Sequence, residues 1–226
     1  MDTQTIVFII LFLVVAAGFI LLLIMNSGAD RNEKEILAAA RRSGWKPGKQ
    51  AFSGITDTGI NWSLELSNEG QENSLFWHTE DIRLKGNLLA ILPALVLPVL
   101  TGKSSKMAFR MTGRGKNWLK PGIKTLQLAL ERGGTVQAGS DRFRQRYSIY
   151  ANNTDWAKSL LTPEVEALLM DFPVQAGQPF TPVYVLLNPT ELQVFAETSD
   201  RNMEVYTHLV NLGAELSTRI QALQEL

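Results

Sequence analysis

The residues of this sequence that could do acid–base or metal chemistry are few and scattered. His78 and His208 are the only histidines, and neither has the paired spacing that a metal site or a catalytic triad needs. Ser140 and Asp141 offer a hydroxyl and a carboxylate, but nothing in the spacing directs them at a substrate, so they are interpreted as loop residues. The sequence therefore predicts no catalytic and no metal-binding residue.

Two other patterns resemble functional motifs without completing them. Glu80 and Asp81 are adjacent carboxylates, which we interpret as the end of a strand. The loop Gly113-Arg114-Gly115-Lys116 lacks the glycine spacing and the Lys-Ser/Thr ending of a phosphate-binding loop, so a turn is predicted there. The chain has no cysteine, which excludes disulfides and zinc sites with sulfur ligands. No cofactor is predicted.

The hydrophobic segment from Ile6 to Met25 determines the domain organisation. Its 20 residues carry no charge, and a helix of that length spans the roughly 30 Å hydrocarbon core of a bilayer. The preceding residues include Asp2 and no Lys or Arg, unlike a cleaved signal peptide. The predicted organisation is a tail over residues 1–5, a transmembrane helix over 6–25, a helical stalk or linker over 26–48 and a soluble domain over 49–226.

Basic residues after the hydrophobic segment predict its orientation. An excess of Lys and Arg marks the cytoplasmic side of a membrane helix. The N-terminus is therefore predicted to lie outside and the soluble domain in the cytoplasm. The basic residues of this flank are Arg31, Lys34, Arg41, Arg42, Lys46 and Lys49.

Hydrophobic periodicity predicts an α+β fold, in which a mainly antiparallel sheet packs against helices and a long C-terminal helix. The clearest strand has Ile60, Trp62 and Leu64 on one face and polar residues on the other. Strands are predicted over residues 51–56, 60–66, 75–80, 107–112, 143–151, 183–187 and 192–197. Helices are predicted over 30–43, 122–131, 154–172 in two pieces divided at Thr162-Pro163, and from 202 to the C-terminus.

An apolar run and a basic stretch occupy the middle of the chain. Residues 88–100 are thirteen consecutive apolar residues that include two prolines, and nine basic residues but no acidic one lie between Ile82 and Leu130. Two interpretations stay open: a core segment beside a solvated basic face, or a surface that contacts anionic lipid or a partner. The candidate contact residues are Leu88, Leu89, Ile91, Leu92, Leu95, Val96, Leu97, Leu100, Lys103, Lys106, Arg110, Arg114, Lys116, Trp118, Lys120 and Lys124.

The predicted C-terminal helix has an apolar seam with alternating spacings of three and four residues. Such a seam packs either on the helix's own domain or on another subunit. The candidate interface residues are Tyr206, Leu209, Leu216, Ile220 and Leu223, with Gly213 between them.

A segment of the second half resembles a pattern found in uncharacterised bacterial membrane-anchored proteins. A strand in RFRQRYSIYANN is followed by a helix ending in LLTPE and then by the hairpin VYVLLNPTELQVFAE. The resemblance implies a bacterial inner-membrane setting and no particular activity. Its matching residues are Ala157, Leu160, Leu161, Thr162, Pro163 and Glu164.

These observations lead to three functional hypotheses. The first is a non-enzymatic, membrane-anchored interaction or accessory protein in a membrane complex, with a membrane-protein partner or a second copy of itself. The second is a domain that contacts anionic lipid through the apolar run and the basic stretch. The third is an enzyme acting on membrane-borne substrates through scattered polar residues. Lys plus Arg equals Asp plus Glu at 22 each, which argues against nucleic acid as a partner.

Overall fold

The structure, a computed structural model, describes residues 34–48, 51–67, 74–94, 120–174, 177–198 and 200–224. The chain divides into two units, Met1–Ser43 and Gly44–Leu226. In the first unit the described residues form a helix over 34–42, α1. No helix in the described ranges is long and apolar enough to cross a bilayer. The predicted transmembrane segment, residues 6–25, lies outside them, as does the predicted strand over 107–112.

The second unit is built on one antiparallel sheet of nine strands, which confirms the predicted α+β class. The strands run in the order β1-β2-β3-β4-β9-β8-β5-β7-β6, so β8 and β9 lie in the middle of the sheet. The unit begins at Gly44 and so includes β1, which the sequence had assigned to the linker. The strands are β1 (Lys46–Pro47), β2 (Ala51–Ile55), β3 (Asn61–Ser67), β4 (Ser74–Thr79), β5 (Leu89–Pro93), β6 (Gly134–Val136), β7 (Tyr147–Ala151), β8 (Val183–Asn188) and β9 (Glu191–Glu197).

Five helices of this unit cover the sheet. They are α2 (Lys120–Arg132), α3 (Asp141–Arg146), α4 (Thr154–Leu160), α5 (Pro163–Met170) and α6 (Met203–Ala222). Helix α6 packs on β4 and β9, and α5 packs on α6. Helix α2 packs on β5, β7 and β8. The sheet therefore lies between α6 on one side and α2 on the other.

Side-chain alternation divides the sheet into two faces. On β4, Leu75 and Trp77 point towards α6, whereas Phe76 and His78 point to the opposite side. We call these the α6 face and the α2 face. The α2 face has an apolar half under helix α2, formed by a buried cluster. The members of that cluster are Ala90, Leu92, Leu126, Ala129, Tyr150, Tyr184, Leu186 and Phe195.

Polar side chains at the helix starts explain where α4, α5 and α6 begin. Asn153, Thr162 and Asn202 are the three N-cap residues, and each side chain accepts a hydrogen bond from a backbone N–H in the first turn. Pro163 follows Thr162 at the first helical position, where its missing N–H costs no hydrogen bond. The predicted division of residues 154–172 into two helices is confirmed.

The predicted strand over 143–151 is wrong in its first half. Residues 141–146 form helix α3, and only Tyr147–Ala151 is a strand. The side chain of Ser140 accepts a hydrogen bond from Phe143 N at 3.2 Å and so caps this helix. Phe143 is fully buried and lies 5.1 Å from the ring of Tyr147. The ring thus reaches the core from a helical turn, which the sequence pattern alone did not distinguish from a strand.

The apolar run begins as a central strand. Leu89–Pro93 forms β5, and all five residues are buried. Prolines disfavour central strands because they lack an N–H. Pro93 is nevertheless accommodated because it is the last residue of β5, beyond Leu89–Ile91, the stretch that pairs with β8. Of the two interpretations of this run, the structure supports the core segment for these residues.

Candidate functional site

The polar half of the α2 face lies on β3, β4 and β9, beside the half that helix α2 covers. The strand register aligns Ser63, His78 and Gln193 in one row across these strands. A second row places Glu65 beside Phe76, which in turn lies beside Phe195. Directly opposed residues in a sheet have Cβ atoms about 4.5–5.5 Å apart. The two rows therefore bring a histidine, a carboxylate, an amide and an aromatic ring together, although Ser63 and Gln193 are 130 positions apart in the numbering.

His78 is the centre of the first row. Its Nε2 lies 2.5 Å from Ser63 Oγ and 3.6 Å from Glu65 Oε1. Its Nδ1 is buried and has no hydrogen-bond partner in the described part of the chain. In a Ser–His–acid triad the acid contacts Nδ1 while the serine contacts Nε2. Here Ser63 and Glu65 both approach Nε2, so the arrangement is not that of a triad.

The Gln193 amide is oriented by a neighbouring carboxylate. Its Nε2 donates to Glu191 Oε1 at 2.5 Å, and the opposite orientation would place two acceptor oxygens against each other. The amide oxygen therefore points away from Glu191, and it has no hydrogen-bond partner in the described residues. Gln193 is 1% exposed. The Gln193 amide oxygen is thus a buried acceptor on the polar half of the α2 face, with no donor among the described residues.

The second row is a ladder of aromatic rings with a carboxylate at each end. Phe76 stacks on Phe195 at 6.3 Å, and Phe195 stacks on Tyr184 at 4.6 Å. The Tyr184 hydroxyl donates to Glu197 Oε1 at 2.8 Å. At the other end Glu65 pairs with Phe76, which is only partly buried. Tyr184 and Phe195 are both buried, whereas Phe76 at the outer end of the ladder is partly exposed.

The Asp, Glu, Lys and Arg side chains that the described sheet strands contribute to this surface are all acidic. Strands β2, β3, β4, β8 and β9 contain three glutamates and no Lys or Arg. The side chain of Glu65 is 56% exposed and that of His78 is 24% exposed. Oxygen acceptors, a carboxylate and an aromatic face together favour a cationic group. No group of three or more His, Asp or Glu in the described ranges could hold a metal ion.

The structure corrects four of the predicted contact residues. Leu89, Ile91 and Leu92 are at most 2% exposed because β5 is an internal strand of the sheet, and Leu88, just before β5, is 5% exposed. A side chain buried in its own domain has no surface to offer to lipid or to a partner. Lys124 is exposed on α2, and Lys120 begins that helix. The other predicted contacts lie outside the described residues: Leu95, Val96, Leu97, Leu100, Lys103, Lys106, Arg110, Arg114, Lys116 and Trp118.

The predicted helix interface is an intramolecular one. Four of its five residues are buried inside the second unit because α6 lies against β4, β9 and α5. The alternative of a subunit contact along this seam is therefore wrong for these four. Leu223 is half-buried at the C-cap of α6. The four buried residues are Tyr206, Leu209, Leu216 and Ile220.

The other acid–base candidates have structural partners. His208 is half-buried, and its Nε2 lies 2.7 Å from Leu168 O. Asp81 Oδ2 accepts from the N and Nδ2 atoms of Asn61 at 2.9 and 2.7 Å. The backbone hydrogen bond from Asn61 holds the pKa of Asp81 below its ordinary value. Asn61 and Asp81 thus join the start of β3 to the segment that follows β4.

A surface groove of 460 Å³ lies beside α3 and α5. Ser140, at its edge, donates its hydroxyl hydrogen to Glu166 Oε1, and Ser140 N donates to Glu166 Oε2 at 3.0 Å. Ser140 Oγ also caps α3, so its hydrogen-bonding capacity is used within the fold. The groove carries Arg142, Glu166 and Asp171, which give it no dominant charge. It is a weaker candidate than the polar half of the α2 face.

Sequence reasoning missed the cluster around His78, although one signal was present. The alternation of β3 places Ser63 and Glu65 on the polar side of that strand. His78 follows the same alternation on β4. The pairing of β4 with the distant strand β9 could not be read from local periodicity, so Gln193 could not be assigned to the cluster. Comparisons with protein-family models, with curated proteins and with solved structures gave no match to this chain.

Proposed function

We propose that this chain is a single-pass, membrane-anchored interaction protein that serves as a non-enzymatic accessory component of a membrane complex. Residues 6–25 would anchor it in a bacterial inner membrane, with the N-terminus outside and the sheet domain in the cytoplasm. The observation that carries the proposal is the partly exposed cluster of Glu65, Phe76 and His78 on the α2 face. Surface aromatic and charged residues grouped in this way are typical of binding sites.

Tethering makes such a surface effective at modest intrinsic affinity. A domain held at the membrane meets other membrane proteins at a raised local concentration, so a small contact area is sufficient for association. Ser63 and Glu65 both approach Nε2 of His78, and no described acid contacts Nδ1, where the acid of a Ser–His–acid triad would lie. This arrangement favours binding over triad-type acyl transfer.

Purification of the tagged full-length chain from native membranes in mild detergent tests the proposal. We expect a membrane protein to remain bound in a fixed ratio through size exclusion, as identified by mass spectrometry. The matched control is residues 1–43 with the same tag, which retain the hydrophobic segment without the sheet domain. Elution of the full chain alone, or retention of the same protein by the control, would contradict the proposal.

Lipid contact is a second candidate, favoured by three exposed basic side chains around one turn. Arg83, Lys85 and Lys124 are exposed in the structure. All three are next in sequence to residues that bond to the turn between β8 and β9. Leu84, between Arg83 and Lys85, donates its N–H to Pro189 O at 2.8 Å. Thr125, which follows Lys124, accepts a hydrogen bond at Oγ1 from Asn188 Nδ2 at 3.0 Å. Each Lys or Arg near an anionic membrane surface is attracted by about 1 kcal/mol.

A single cysteine at Lys85 tests both the orientation and this second candidate. The chain has no cysteine of its own, so Lys85→Cys gives one reactive site. A membrane-impermeant dye maleimide should label it in inverted membrane vesicles and not in intact spheroplasts. In nanodiscs, lipid contact predicts a blue shift of the dye with anionic lipid that is absent with neutral lipid and disappears in high salt. Labelling in spheroplasts would reverse the proposed orientation, and an unchanged emission would exclude lipid contact at this position.

A further inference from the structure

We infer that the cluster of Glu65, Phe76 and His78 binds an arginine side chain of a partner protein. The inference rests on the proposed function, because it assigns the partner-binding surface and the chemistry that this surface recognises. Here the cluster is called the acidic aromatic site. It lies on the α2 face, where β3 and β4 pair and where the core under α2 ends.

The charge of the site favours a cationic ligand. The side chain of Glu65 is 56% exposed, and its Oε1 lies 3.6 Å from Nε2 of His78. No Lys or Arg occurs on β2, β3 or β4, so those strands supply no cation to Glu65. An exposed carboxylate without a cation on its own or neighbouring strands is a site of charge complementarity for a basic group.

The aromatic ring beside Glu65 specifies the kind of cation. Phe76 is directly opposite Glu65 in the register and is held in place by stacking on Phe195 at 6.3 Å. The His78 ring lies 5.1 Å from the Phe76 ring with an interplanar angle of 34°. A planar guanidinium can lie on such a ring while its edge donates two hydrogen bonds to one carboxylate. An ammonium group lacks this planar fork, so arginine is preferred over lysine.

Peptide binding to the full-length chain in nanodiscs of neutral lipid tests the inference. The probe is a fluorescent nine-residue peptide with three arginines, and the matched probe carries lysines at the same positions. Fluorescence anisotropy should show tighter binding of the arginine peptide, and raised salt should weaken both. A single exposed ion pair with a cation–π contact corresponds to about a threefold to tenfold change in Kd.

Two substitutions identify the site. Glu65→Gln keeps the shape of the side chain and removes its charge, and it should weaken binding of the arginine peptide about threefold to tenfold. Phe76→Leu should reduce the preference for arginine over lysine, because the stacking surface is lost. The matched control is Glu131→Gln, which removes an exposed carboxylate from α2 outside the site. Each variant is compared with the unaltered chain in a thermal melt, and Glu65→Gln decides the outcome if Phe76→Leu fails to fold.

Three outcomes would overturn the inference. The first is equal binding by the Glu65→Gln and Glu131→Gln variants. The second is no preference for arginine over lysine in the unaltered chain. The third is much tighter peptide binding when Lys103, Lys106 and Arg110 are replaced by glutamine, since the occupant would then be this chain's own basic stretch.

The failure of this inference differs from the failure of the proposed function. If a membrane partner co-purifies equally with the unaltered chain and with Glu65→Gln, the accessory function stands and the site assignment fails. If no partner co-purifies while peptide binding depends on Glu65, the arginine site stands and the accessory function fails.

Discussion

Replacing Gly213 with alanine is expected to lower the free energy of unfolding of the sheet domain by about 1–3 kcal/mol, the usual cost of overpacking a core. A Cβ at this position would lie 2.4, 2.5 and 2.6 Å from three ring carbons of Trp77. Trp77 is fully buried on β4, and α6 packs on that strand. The ring cannot move without displacing its neighbours, because protein interiors are closely packed.

The sign of this prediction is opposite to that of helix propensity. Alanine is favoured over glycine in a helix by about 1 kcal/mol, so propensity alone predicts stabilisation. The matched control is Asn211→Ala on the same helix, where the side chain is exposed and the change should stay within about 0.5 kcal/mol. Urea denaturation followed by circular dichroism measures both. A Gly213→Ala chain as stable as the original would contradict the close approach of α6 to Trp77.

The seam of α6 shows what local periodicity predicts and what it omits. Spacings of three and four predicted that Tyr206, Leu209, Leu216 and Ile220 share one side of a helix, and the structure places all four in the core. The pattern did not identify the surface that covers them. That surface includes β4 and β9, which are paired across more than 100 residues of chain, and only tertiary structure joins them.

The apolar run illustrates a different limit. A run of apolar residues has the same composition whether it is a central strand, a membrane-contacting loop or a binding segment, because each of these environments favours the same side chains. The prolines argued against a strand by local rules. The pairing of β5 with β8 explains why a strand is nevertheless possible. Only Leu89–Ile91 pair with β8, so Pro93 lies outside the hydrogen-bonded stretch between these two strands. Pairing partners are not visible in the sequence of β5 itself.

The acidic aromatic site was less predictable than the fold. The hairpins and helix starts depend on neighbouring residues, such as Gly59 with its positive φ of 84° in the turn before β3. The site depends on the register between β3 and β4 and on the pairing of β4 with β9. A shift of one residue in either pairing would move His78 away from Ser63 or away from Gln193. A site that depends on the register between strands therefore cannot be predicted from local sequence periodicity.

Replacing Ile91 with alanine is the sharpest test of how the apolar run is placed. Ile91 is 2% exposed and lies between Val185 of β8 and Ile149 of β7. Loss of a buried isoleucine side chain costs about 2–5 kcal/mol, from lost burial and the cavity left behind. The free energy of unfolding of an ordinary domain is about 5–15 kcal/mol, so the variant should lose a large fraction of its stability.

The chain offers a matched control for Ile91→Ala. Ile55 is 61% exposed at the end of β2, so Ile55→Ala should change the free energy of unfolding by less than about 0.5 kcal/mol. Both variants are measured by urea denaturation in the same detergent. A central strand predicts a large difference between the two substitutions. A lipid-contacting or partner-contacting segment predicts a small one, because its side chain is exposed in the isolated chain. Equal and small effects would therefore contradict the placement of β5 in the core. The contact candidates Leu88, Leu89, Ile91 and Leu92 would then stand again.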